Sequence, residues 1–200
     1  MTAQDTGEGG EVRSRLLDLL VRNSYRRADA AVFELASGRR SNYYIDCKAT
    51  TCLPEALPLI AAEVLRRIPS DVDAVGGLTL GADAIATATA YCSPEFGRSI
   101  PWFVVRKESK KHGTKKSVEG FPVQGRKVVI VDDVATTGGS TIEAIGKVRE
   151  AGAEVVAVVV LVDREEGGME AIVREAGADI PVSAVFKRTE LEEHWQATRG

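Results

Sequence analysis

Two stretches of this chain have no polar face. Residues 128–131 read VVIV and residues 155–162 read VVAVVVLV, so an extended strand at either place turns apolar side chains to both sides. Such strands suit a parallel sheet covered by helices on both faces, because a sheet with one wet face alternates apolar and polar residues. Strand-like runs at 73–77, 101–105 and 182–185 alternate in part with helical patterns at 82–91, 139–150 and 169–176. The expected fold is α/β, with a central, mostly parallel sheet flanked by helices.

The N-terminal third departs from this rhythm. Residues 12–21 have apolar spacing for a helix, and 31–35 and 43–47 read as two strands of one hairpin around a turn at 37–41. They predict a small extra lobe, or hood. A helix is expected over 54–68, with Pro54 at its start, Pro69 past its end, and Pro58 allowing a later start. A last short helix is expected over 189–195. Residues 1–10 are polar and Gly-rich and read as a flexible tail, leaving 11–200 as a single domain.

Charge and composition narrow the partners. The formal net charge of -3 offers no global basic field for nucleic acid. The longest apolar run, 155–162, is strand-sized and too short to cross a bilayer, so no membrane partner is expected. The first ten residues lack the basic start and apolar run of a secretory leader. Cys47, Cys52 and Cys92 form no CxxC pair, which suits packing thiols in a reducing compartment. A cytoplasmic location is therefore expected.

The chemistry concentrates in residues 128–141, VVIVDDVATTGGST. A buried strand delivers Asp132 and Asp133 to its C-terminal end, where open α/β sheets bind ligands. Ala135, Thr136, Thr137, Gly138, Gly139 and Ser140 then lead into a helix. Such a loop offers backbone N–H groups, hydroxyls and a helix N-terminus to a phosphate. Two acids beside an anion cradle make sense if the ligand also brings hydroxyls or a divalent cation. A ribose 5-phosphate satisfies both halves. The segment lacks the Gly-Lys of a Walker A loop and is not GxGxxG.

Residues 129–138 resemble the 5-phosphoribosyl-1-diphosphate (PRPP) motif of type I phosphoribosyltransferases. The resemblance implies that the acids hold the ribose hydroxyls and that the loop holds the 5-phosphate. It also implies that Mg²⁺ rides on substrate phosphates and ribose hydroxyls, with no protein metal ligand. Three further segments resemble orotate phosphoribosyltransferases in particular. In FELASGRRSNYYID, residues 33–46, Tyr43 or Tyr44 would lie against the planar base, and Thr136 would also touch it. RKESKKHGTKK, residues 106–116, resembles a cationic catalytic loop that reaches into the neighbouring subunit. Arg106, Lys107, Lys110 and His112 would face the diphosphate there, with Lys110 critical for turnover. In LVDREEGG, residues 161–168, Arg164 would contact orotate, a task suited to an arginine fork.

The loop GGLTLG, residues 76–81, resembles the backbone cradle for the diphosphate. Ala36 and Gly81 stand where many family members carry lysine. The implied reaction joins PRPP and orotate into orotidine 5'-monophosphate (OMP), with Asp133 nearest for a proton role and a homodimer as the working form. The alternatives are a transferase for a purine or uracil, or a PRPP-sensing regulator.

Overall fold

The computed structural model describes residues 7–34, 40–107 and 116–199. Helix α1 (Glu8–Asn23) buries Leu16, Leu20 and Val21 along one stripe. It begins at Glu8, so Gly9 and Gly10 are helical where the sequence reading places a tail.

Strands β1 (Tyr25–Arg27), β2 (Phe33–Glu34), β3 (Arg40–Ser41) and β4 (Tyr43–Ile45) build the hood. They do not form the expected single hairpin. β2 pairs with β3, Phe33 opposite Ser41, while β4 pairs with β1, Tyr44 opposite Arg26. The tyrosine strand is thus fastened to the segment that leaves α1. The buried ring of Tyr25 stacks on Tyr43 with centroids 6.5 Å apart.

A short helix, α2 (Lys48–Thr51), lies ahead of the helix expected over 54–68, which is α3 (Leu57–Leu65), starting later, as Pro58 allows, and ending three residues sooner. Pro58 lies in the first turn of α3, where its missing N–H breaks no helical bond. The remaining strands and α-helices are β5 (Ala74–Leu78), α4 (Asp83–Cys92), β6 (Trp102–Val105), β7 (Val118–Gly120), β8 (Lys127–Ala135), α5 (Gly139–Glu150), β9 (Glu154–Asp163), α6 (Gly168–Ala176), β10 (Val182–Lys187) and α7 (Arg188–Arg199).

Six strands form the main sheet in the order β10-β9-β8-β5-β6-β7. All neighbours are parallel except β7, which runs antiparallel to β6. The two apolar strands fill both faces by simple alternation. Val129, Val131, Val159 and Leu161 pack with Leu16, Leu20 and Ile60 on one side. Val128, Ile130, Val158 and Val160 pack with Ile145, Val148 and Ile172 on the other. Each such side chain contributes roughly 1.5–3 kcal/mol on burial, which explains why neither strand tolerates a polar face.

From β5 the chain crosses through α4 to β6; from β8 it crosses through α5 to β9, in the opposite direction. The order therefore reverses between β5 and β8, and a crevice opens above their C-terminal ends. Cys47 and Cys92 are buried, but Cys52 is exposed, so the packing role expected of all three fails for Cys52. Among the described residues no helix is long and apolar enough to cross a membrane.

Candidate active site

β8 runs on through Ala135, four residues beyond the expected strand end at 131. Asp132 stands opposite Val160 and Ala135 opposite Asp163 in the ladder with β9. The acid pair is therefore held by a strand rather than by a loop, and both residues are buried. Asp132 Oδ2 accepts from the Thr141 hydroxyl at 2.7 Å, and its Oδ1 from the Asp133 amide at 3.0 Å. Burial pushes the Asp132 carboxyl up to about 7; the Thr141 hydrogen bond opposes this and the charge of Asp133 adds to it. Burial also raises Asp133, with the Lys48 ammonium pulling it back.

Thr136 and Thr137 follow, and Gly138 turns the chain into α5 with φ 81°. That left-handed turn favours glycine, and space demands it too. A Cβ on Gly138 would lie 2.7 Å from the Gly168 carbonyl oxygen and 2.9 Å from Ile172. The loop lies flat on the start of α6. α5 has no side-chain cap, so its first N–H groups are left for a ligand. Asp132, Asp133, Val134 and residues 136–140 line a cavity of about 290 Å³. Thr137, Gly139 and Ser140 are exposed at its mouth. A larger concavity of about 740 Å³ lies beside Tyr91 and Trp102, away from the acid pair.

Gly76 and Gly77, expected in the second cradle, belong to β5 instead. Side chains there would strike the Phe103 carbonyl at 2.3 Å and the Val131 carbonyl at 2.1 Å, so these glycines serve close strand packing. Of this segment, Gly81 is the residue that reaches the acid pair. Thr79 Oγ1 donates to Asp83 at 2.8 Å. Gly81 lies against the acids: a Cβ there would be 2.5 Å from Asp133 Oδ1 and 3.0 Å from Asp132 Oδ1.

Arg164 leaves β9 beside this loop. Its amide donates to the Ala135 carbonyl at 2.9 Å, and its Nη1 lies 3.4 Å from Thr136 Oγ1. The residue is 8% exposed, and its Nε meets no acceptor among the described residues. Glu166 Oε1 stands 3.0 Å from Nη2 and accepts from the Tyr43 hydroxyl at 2.8 Å. The Tyr43 ring lies under two guanidinium groups, Arg164 at 5.2 Å and Arg188 at 5.3 Å. Tyr44 turns the other way and packs on Phe33 at 6.0 Å. Strand alternation thus separates the two tyrosines, and Tyr43 alone meets Arg164.

The described ends of the cationic loop are held from α5. Lys147 Nζ donates to the carbonyls of Arg106 at 2.6 Å and Lys107 at 2.7 Å. The Arg106 guanidinium lies 3.4 Å from Glu119 on β7. Lys110 and His112 lie outside the described residues, as does Ala36. Sequence reasoning missed Lys48, Glu166 and Lys147. Lys48 and Lys147 lie in stretches without a motif, and Glu166 lies in the 161–168 segment, of which only Arg164 was picked out; the folded chain brings all three to the site.

Residues 60–176, from within α3 to the end of α6, match the family of the phosphoribosyl transferase domain, and the chain belongs to that family. Within it, the chain belongs with the orotate phosphoribosyltransferases. It is 44% identical over 180 residues to the orotate phosphoribosyltransferase of Aquifex aeolicus, covering 90% of this chain and 97% of that protein. The orotate phosphoribosyltransferase of Mycobacterium tuberculosis H37Rv, solved with inorganic phosphate, superposes with a TM-score of 0.77 at 36% identity, covering 92% of this chain and 99% of that one. The same enzyme in complex with PRPP gives a TM-score of 0.72 at 34% identity, covering 91% and 92% of the two chains.

Proposed function

We propose that this chain is an enzyme that transfers ribose 5-phosphate from PRPP to a ring nitrogen of orotate, giving OMP and diphosphate. One observation carries the choice of base. The buried guanidinium of Arg164 keeps Nε without an acceptor while it reaches Thr136, the first residue of the loop after β8. A fork for a carboxylate-bearing ring thus stands beside the phosphoribosyl cavity.

In this reading Asp132 and Asp133 accept from the two ribose hydroxyls. Residues 135–140 and the N-terminus of α5 donate to the 5-phosphate. Arg164 binds the orotate carboxylate and ring carbonyl, with Tyr43 against the base and Tyr44 on the open side of the hood. The bond from the anomeric carbon to the diphosphate oxygen breaks ahead of bond making, and its electron pair leaves with diphosphate. The nitrogen lone pair of orotate then forms the new bond. Because the sugar becomes cationic and the leaving group anionic, the work is mainly positioning and electrostatics. Arg106, Lys107, Lys110 and His112 face the leaving diphosphate, and Asp133 is nearest for moving a proton.

The donor set suits Mg²⁺ carried mainly by substrate oxygens. Two adjacent carboxylates fall short of a cage, and the buried Asp133 Oδ2, which accepts no hydrogen bond among the described residues, keeps its lone pairs for a ribose hydroxyl or an ion-bound water. When bound, the ion would neutralise charge on the leaving diphosphate.

The working form in this reading is a cytoplasmic homodimer, with residues 106–116 shared between subunits. Tyr91, 82% exposed, and Leu80, 74% exposed, lie at and near α4 and support a covered surface there. The test mixes purified protein, PRPP and Mg²⁺ with orotate and follows the fall in orotate absorbance, with hypoxanthine, guanine and uracil in parallel. Turnover of orotate alone is the expected result. Turnover of another base would overturn the role given to Arg164, and PRPP binding without turnover of any base would make the chain a sensor.

A further inference from the structure

Lys48 opens α2 just past the hood strand β4. Its Nζ lies 2.8 Å from Asp46 Oδ1 and 3.7 Å from Asp133 Oδ2. Among the described residues it is the one basic side chain within ion-pair distance of the Asp132–Asp133 pair. Its side chain is 52% exposed, so the ammonium is open to an incoming ligand while the acid beneath it is 8% exposed. That contact leaves Asp133 Oδ2 without a hydrogen bond.

The other side of the same carboxyl is closed. Gly81 brings the loop after β5 so near that a Cβ would lie 2.5 Å from Asp133 Oδ1. No side chain at position 81 can therefore reach into the crevice without displacing the buried acid. The loop offers backbone alone at this point. A polyanionic ligand would meet two buried carboxylates here, and positive charge has to arrive from another element. The start of α2, just past the hood, supplies it through Lys48.

We infer that Lys48 is a PRPP-binding residue that offsets Asp133 and donates to the diphosphate end of the ligand. The inference rests on the PRPP reading proposed above and adds a residue to it. It also ties the segment that leaves the hood to the PRPP half of the site, whereas Tyr43 ties the hood itself to the base half.

The test is calorimetric binding to the full chain with Mg²⁺ and three probes: PRPP, inorganic diphosphate and OMP. Lys48→Met is expected to weaken PRPP and diphosphate by about tenfold or more, the loss of one charge-assisted hydrogen bond, and to leave OMP within about threefold. Lys48→Arg should restore most of the loss, because it returns the charge at similar reach. Diphosphate binding by Lys48→Met equal to wild type would overturn the inference. So would an equal loss for OMP, which would make Lys48 a support for the acids rather than a diphosphate contact. Thermal unfolding of both variants reads any loss of fold separately. None of these readouts needs orotate turnover. A wild-type protein that binds PRPP and ignores orotate would sink the base assignment alone, and one that binds none of the probes would sink both.

Discussion

Asp132 is an acid that its own fold makes reluctant to ionise. Its carboxyl sits at about 7 against an ordinary 3.8, chiefly through burial. The folded chain therefore holds this proton more tightly than the unfolded chain does. Stability contributed by the pair falls as pH rises from about 4 to about 7 and is level above that. At about 1.4 kcal/mol per pH unit, the whole effect is capped at roughly 4 kcal/mol, with relaxation of the site reducing it. Urea unfolding of the ligand-free protein across this window should show the decline, and Asp132→Asn should flatten it while weakening PRPP binding. A wild-type profile as flat as that of the variant would refute the buried-proton account. Arg164 makes the complementary case. Arg164→Ala should raise the KM for orotate about a hundredfold and leave the KM for PRPP nearly unchanged, since a charged hydrogen-bonding fork is worth roughly 2–3 kcal/mol. Steady-state kinetics varying each substrate in turn would separate the two. The acid pair and Arg164 were legible in the sequence because each stands at the end of an apolar strand. Lys48 was not, because nothing in its neighbours' spacing marks it, and Glu166, though inside the 161–168 segment, carries no sign of its contacts with Arg164 and Tyr43.

At the scale of elements, the site depends on how the β8–α5 loop lies on α6. Gly138→Ala would place a methyl group against the Gly168 carbonyl at a left-handed φ. It should cost roughly 1–3 kcal/mol of stability and weaken PRPP binding together, read by urea unfolding and ligand titration. A PRPP affinity equal to wild type in that variant would show that the loop holds its shape without the close approach. Lys147 tests the stem of the cationic loop. Lys147→Met removes the donor to the carbonyls of Arg106 and Lys107 and should lower kcat several-fold with little change in orotate KM. The long regular elements were readable: α5 occupies its expected range, and β9 extends it by one residue. β1 and β7 were not, since Tyr25–Arg27 and Val118–Gly120 are three residues each and show no usable alternation. β8 was read too short because its last turns of ladder carry carboxylates, which look like a strand end until β9 is seen opposite them.

For the whole molecule, the proposed shared-loop homodimer makes a prediction that a monomer cannot meet. Lys110→Ala damages the loop and Asp133→Asn damages the pocket. If each loop serves the neighbouring pocket, random mixing of the two inactive variants should regain about a quarter of wild-type activity, because half the dimers are mixed and each has one intact site. No recovery after subunit exchange, verified by light scattering of tagged mixtures, would mean that each loop serves its own subunit. Read alone, the chain determined the sheet and the loop proposed to hold the phosphate. Apolar strands with no wet face demand helices on both sides, and the acids and hydroxyls of residues 132–141 are neighbours in sequence, so their chemistry survives without a fold. Tertiary structure decided what depends on contacts between distant segments. It paired β4 with β1, turned Tyr43 rather than Tyr44 to Arg164, set Gly81 against Asp133, and brought Lys48 to the same acid from the start of α2. Such pairings are set by the energy of packing one segment on another, and spacing along a single strand or helix carries no record of it.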